Sequence, residues 1–126
     1  MFFKSPAHRA RFLSAIRQSD KIDHGKIDPE YGAALYILTA DSATFEKAKP
    51  YISRDGILFA KMLRQTDFSS GHRVLVQLAG NLFNGQTKVS PVDFTILDID
   101  NFNVMQEALR TRCTPPYLGE IVEAEN

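Results

Sequence analysis

A chain of 126 residues is long enough for one domain with its own core, which needs neither a metal nor a disulfide to hold it together. Its 44% apolar and 24% charged residues are those of an ordinary globular protein and exclude intrinsic disorder. Lys plus Arg balances Asp plus Glu at 15 each, which argues against nucleic acid as the main partner, since such binding rests on a basic surface that displaces phosphate counterions.

Three times a capping residue is followed at once by proline: Ser5-Pro6, Asp28-Pro29 and Ser90-Pro91. The side-chain oxygen accepts an orphan backbone N–H, and proline at the first helical position arrives with φ already set. The first helix is expected over about 6–18, with Phe12, Leu13 and Ile16 inward and Phe2 and Phe3 packing ahead of it. Residues 1–26 carry six Lys or Arg against Asp20 and Asp23, while the remainder is acidic, so this basic helix is expected to dock on an acidic body. A turn follows at Asp23-His24-Gly25. The second helix, about 29–39, is apolar all round and therefore buried. A third, short helix starts after Asp41 and ends near Pro50. The fourth runs over about 56–65, with Leu58, Phe59, Met62 and Leu63 inward.

The fifth helix opens at Ser69 or Ser70 and closes at Asn84-Gly85, where glycine suits a left-handed C-cap. Its apolar residues cover most of the circumference, so it shares the centre with the second. For 91–97 a short helix is favoured, although Val92, Phe94 and Ile96 alternate with polar residues as in a strand. The last helix, about 100–112, is expected to turn Phe102, Met105, Leu109 and Cys113 inward, and Pro115-Pro116 stops it. Beyond it, Tyr117, Leu118, Ile121 and Val122 are expected to pin the chain to the body. The whole predicts an all-α fold: a compact single-domain bundle of five to seven helices around two buried central helices, spanning 1–122, with a frayed acidic end at 123–126.

The leading candidate site is the polar stripe of the fifth helix. Arg73, Gln77, Gly80, Asn81 and Asn84 fall in one sector opposite the apolar arc. Amides beside a single Arg and a Gly suit hydrogen bonding in a groove; the plainer alternatives are the wet side of an amphipathic helix, or amides joining neighbouring segments. A second candidate is the start of that helix, where Ser69, Ser70, His72 and Arg73 could hold a phosphate or carboxylate, though most serine-capped helices offer as much. His72 is expected to face the apolar side. Arg9 is expected to reach an acid of the body.

Asp98-x-Asp100 fails as a calcium loop, because Phe102 stands at the next ligand position and no glycine follows. His8, His24 and His72 lie far apart, and the lone Cys113 can build neither a thiolate zinc site nor an intramolecular disulfide, so no metal or other cofactor is expected and Cys113 reads as a small apolar filler. Without a leader-like or membrane-spanning stretch, a cytoplasmic protein is expected. Phosphate-binding glycine loops, serine-hydrolase elbows and dinucleotide fingerprints are absent.

Met1-Phe2-Phe3-Lys4-Ser5-Pro6, Asp28-Pro29-Glu30-Tyr31, Asp67-Phe68-Ser69-Ser70-Gly71 and Ala79-Gly80-Asn81-Leu82-Phe83-Asn84-Gly85 together resemble a family of short bacterial helical proteins, a kind that can travel on phages. That family has no assigned activity, cofactor or catalytic residue. The resemblance implies one compact helical domain and carries no function.

The leading expectation is therefore a non-catalytic module that recognises another protein or itself, through Arg73, Gln77, Asn81 and Asn84 or a neighbouring face. A small hydrolase or transferase holding an anionic substrate at Ser70, His72 and Arg73 is the alternative; it requires a carboxylate within reach of His72. A weak nucleic-acid binder using Lys4, Arg9, Arg11 and Arg17 is the third.

Overall fold

All three Ser/Asp-Pro pairs open a helix. In the computed structural model, which describes residues 1–123 (Glu123 by its backbone alone), α1 spans Pro6–Gln18 and the Ser5 hydroxyl accepts from the His8 amide at 3.0 Å. α2 spans Pro29–Leu38, with the Asp28 carboxylate accepting from the Tyr31 amide at 2.8 Å. The third pair starts a 3-10 helix, Pro91–Ile96, in which the Asp93 carboxylate accepts from the Ser90 amide at 2.9 Å. Each carboxylate or hydroxyl satisfies a backbone donor that the first turn leaves without a partner.

Between these lie α3 (Ser42–Ala48), a 3-10 turn (Lys49–Tyr51), α4 (Phe59–Gln65) and α5 (Ser70–Asn84); α6 (Ile99–Cys113) and α7 (Leu118–Glu123) complete the chain. The fold is all-α, with seven α-helices among the described residues. The expected acidic end at 123–126 lies outside those residues, except that the backbone of Glu123 closes α7. No helix among the described residues is long and apolar enough to cross a membrane.

α2 is the core. Every residue from Tyr31 to Ala40 is buried, and the helix packs against α1, α5 and α6. α5 buries Val74, Leu75, Val76, Leu78 and Ala79 beside it, and ends on Gly85 in the left-handed conformation at φ 76°. The two central helices are those that the sequence picks out. The basic charge of α1 is used differently from the expectation: Arg11 donates to the carbonyls of Thr39 and Ala40, at 2.8 and 3.3 Å, rather than to an acid. α2 has no basic residue in its last turn, so a cation from α1 serves the carbonyls at its end.

Two hairpins of two-residue strands were not expected. β1 (Ile22–Asp23) pairs with β2 (Lys26–Ile27), and β3 (Ile52–Ser53) with β4 (Gly56–Ile57), both antiparallel. The first turns through His24 and Gly25 at φ 51° and 80°, both positive as a tight two-residue turn requires. Tyr117 bridges to Lys26, and Leu118 N–H donates to the Gly25 carbonyl at 2.7 Å, so the end of the chain is pinned to this hairpin. The second hairpin takes Gly56 and Ile57 out of α4, which leaves Leu58 exposed while Phe59 and Met62 are buried.

α6 is rotated from its expected setting. It buries Asn101, Val104, Met105, Ala108 and Thr111, whereas Leu109 and Cys113 are exposed. Small and polar residues face inward because α6 lies close to α2: a methyl group added to Gly32 would stand 3.5 Å from the Thr111 side chain.

Candidate functional site

The polar stripe of α5 is met largely by the protein's own chain. After Gly85 the backbone doubles back along α5, and Thr87 lies so close over Gly80 that a Cβ there would stand 2.9 Å from Thr87 Cβ and 3.0 Å from the Phe59 ring. Asn81 Nδ2 donates to the Thr87 carbonyl at 2.9 Å, and Asn84 Oδ1 accepts from the Gln86 amide at 3.1 Å. Arg73 is exposed and donates to the Leu63 carbonyl of α4 at 3.3 Å; Gln77 is half-buried. Glycine and amides are needed here because a backbone must approach and be hydrogen-bonded, and the backbone is this chain's own return segment, 86–99, which runs into the first residue of α6.

The start of α5 does not gather a site. Ser69 and Ser70 are exposed, and Ser69 makes no side-chain cap. His72 turns to α3, where its Nε2 lies 2.7 Å from the Asp41 carboxylate, while Arg73 turns to α4. His72 thus has a carboxylate partner instead of an apolar one. The space beside the pair, bounded by Lys4, Thr44, Leu75 and Asn101, is only about 10 Å³, too little for more than one water. Two surface depressions of about 630 and 620 Å³ both border the exposed Cys113 and include neither His72 nor any stripe residue. No group of three or more His, Cys, Asp or Glu able to hold a metal occurs among the described residues.

The basic residues of the N-terminal segment are mostly engaged within the fold. Lys4 Nζ donates to Asn101 Oδ1 at 3.2 Å, Arg11 to the end of α2, and the Arg9 guanidinium lies over the Phe3 ring at 5.5 Å, where the sequence led one to expect an acid; it pairs with none among the described residues. Arg17 is exposed.

The most perturbed histidine is His8. It is wholly buried, its Nδ1 accepts from the Lys4 amide at 3.1 Å, and its Nε2 must therefore carry the proton donated to the Tyr36 carbonyl at 2.8 Å. Burial pulls its pKa down from 6.5 to about 4; the Tyr36 bond opposes this, and the charges of Arg11 and Lys4 add to it. Tyr36, also buried, donates to the Phe2 carbonyl at 2.7 Å, and burial raises its pKa, with Glu107 contributing. Both side chains lock residues 2–4 onto the core, a structural task that uses up their hydrogen bonds.

What sequence reasoning missed is the outer face of the return segment. Phe94 and Leu97 pack on the core, but Val92, Ile96 and Ile99 are 69%, 57% and 71% exposed, the three most exposed large apolar side chains among the described residues. They fall within eight residues. The spacing of Val92, Phe94 and Ile96 was the available signal: once the segment is helical, residues two apart point to different sides of the axis, and a single core can bury only one of those sides.

Residues 1–117 match the model of a family of unknown function, DUF6075. The chain belongs to that family. No curated protein and no solved structure matches it. The family match runs from the segment locked by His8 to the Tyr117 bridge and so takes in both the stripe and the return segment; it attaches no activity to either.

Proposed function

We propose that this protein is a non-catalytic interaction module, working in the cytoplasm, whose contact face is the outer side of the return segment rather than the α5 stripe beneath it. The observation that carries the reading is the concentration of Val92, Ile96 and Ile99 on one exposed stretch. Isolated exposed apolar residues are common; three large aliphatic side chains within eight residues, held outward by Phe94 and Leu97 packing inward, are what a docking surface needs. Covering each on binding is worth roughly 1.5–3 kcal/mol at full burial, before the cost of association. Arg73 and Gln77 remain as a polar neighbour: at the start of α5, Gly71 faces Leu97, 3.9 Å from the position its Cβ would take.

The test is recovery of partners on wild-type protein and on Val92→Ser/Ile96→Ser/Ile99→Ser, with circular dichroism verifying that both are folded. A protein held by the wild type and lost by the triple variant supports the reading. Equal recoveries move the contact face elsewhere, and Gln77→Arg then tests the open part of the stripe. Asn81→Arg is the poorer probe, since it would also break the Asn81–Thr87 bond.

The hydrolase or transferase alternative has the His72–Asp41 pair in its favour. Turnover of a phosphate or carboxylate ester, abolished by His72→Ala and kept by Ile96→Ser, would establish it.

A further inference from the structure

We infer that the partner of the Val92–Ile99 face is a basic amphipathic segment, a helix with a row of large aliphatic residues bordered by Lys or Arg. This inference rests on the docking face proposed above and adds its charge. From Val89 to Leu109 the sequence holds no Lys, Arg or His, but it holds Asp93, Asp98, Asp100 and Glu107. Three of these acids lie among or directly beside the exposed aliphatics. Asp98 and Asp100 flank Ile99 and are themselves exposed, and Asp93 follows Val92.

Among the described residues none of the three aspartates has a cationic side chain within ion-pair distance. Asp93 and Asp98 accept backbone N–H groups at helix starts, which fixes them in place without neutralising them. Among the described residues the cations tied to this stretch leave the three aspartates alone: Lys4 donates to the neutral Asn101, and Arg110 pairs with Glu107 at 3.3 Å.

Exposed aliphatic side chains set among unpaired carboxylates, two of them held in place by backbone N–H groups, select their occupant by sign. Phosphate-bearing surfaces, whether nucleic acid or anionic lipid, are repelled from it. An acidic or neutral helix could cover the aliphatics but would leave the carboxylates facing like charge or partly dried without a partner. A helix with Leu or Ile at positions i, i+3, i+4 and i+7, and Lys or Arg on either side, answers both features of the face.

The experiment uses the full chain with three synthetic 18-residue helical peptides as probes: one of Leu and Lys, one of Leu and Glu in the same pattern, and one of Ser and Lys without an apolar face. Binding is read by fluorescence anisotropy at low and high salt, and the protein alone by sedimentation. The expected result is binding of the Leu/Lys peptide alone. It weakens with salt, falls roughly fivefold in Asp98→Asn/Asp100→Asn, and is lost in Val92→Ser/Ile96→Ser/Ile99→Ser.

Equal binding of the Leu/Lys and Leu/Glu peptides, with both lost in the triple variant, would leave the docking face standing and overturn the basic partner. Self-association of the protein abolished by the triple variant would make the occupant a second copy and overturn it likewise. Binding of the Leu/Lys peptide that the triple variant leaves intact would remove the docking face itself. Because Val92, Ile96, Ile99, Asp98 and Asp100 are all exposed, the variants are expected to fold, which unchanged circular dichroism verifies.

Discussion

The segment ahead of α1 and the segment behind α5 solve one problem in opposite ways. Both are irregular stretches that must be tied to the core. The first is tied by buried polar groups: His8 bonds the Lys4 amide and the Tyr36 carbonyl, and Tyr36 bonds the Phe2 carbonyl. The second is tied on its inner side by Asn81, Phe94 and Leu97 and leaves three aliphatics outside. Buried polar groups with every bond made serve structure, because losing any one leaves an orphan in a dry place. Exposed apolar groups add nothing to folding, so a cluster of them calls for another use.

The sharpest way to break the contrast is acid. His8 is neutral when folded, with its pKa lowered to about 4 against 6.5 in the unfolded chain. Its contribution is therefore complete above about pH 6.5 and is lost progressively as the pH falls from there toward 4, because the unfolded chain takes up the proton first. The shift corresponds to about 3 kcal/mol. Urea titrations of wild type at pH 7 and pH 4, set against His8→Phe at both, check it: the variant starts less stable at pH 7, because the Lys4 amide and the Tyr36 carbonyl lose their partner, but should decline less on acidification. An equal decline in both would return the acid sensitivity to other groups.

On the return segment, the strongest break is Gly80→Leu, which drives a side chain into Thr87 and the Phe59 ring. Overpacking of this kind costs roughly 1–3 kcal/mol. Amide exchange across residues 86–97 should speed up together with the fall in melting temperature, since the segment must lift to make room. Asn81→Ala removes only the bond to the Thr87 carbonyl; about 1 kcal/mol is expected, with faster exchange confined to residues near Thr87. Melting temperature with exchange mass spectrometry separates the two.

Much of the fold was legible because it rests on local signals. Ser5-Pro6, Asp28-Pro29 and Asn84-Gly85 each state a helix end in the chemistry of two residues, and the all-apolar α2 announces its own burial. The hairpins were not legible, since two-residue strands are too short for alternation to show and only the residues at the turns, His24-Gly25 and Asp55-Gly56, leave a trace. The face of α6 was misjudged because periodicity follows the largest apolar residues. Packing against α2 instead favours Ala108 and Thr111, which allow the close approach at Gly32. At the site, the wheel placed the stripe residues together on one face of α5. No wheel drawn for one helix can show that a later segment covers it, and that contact turns Asn81 inward and Val92, Ile96 and Ile99 outward.

The smallest expected effect is the one that separates the two regions most cleanly. If the outer face of the return segment has no part in folding, Val92→Ser/Ile99→Ser should change the free energy of unfolding by no more than about 0.5 kcal/mol, the range of surface positions that make no special contact. The same substitutions at a covered pair, Phe94→Ser/Leu97→Ser, should cost several times as much, because those side chains pack on the core. Paired denaturation curves at neutral pH decide this. A large loss in the outer pair would mean that Val92 and Ile99 fold back onto the protein in solution, and their exposure would then no longer call for a partner. A negligible loss leaves binding as the remaining physical reason for three aliphatic side chains to stand in water among aspartates.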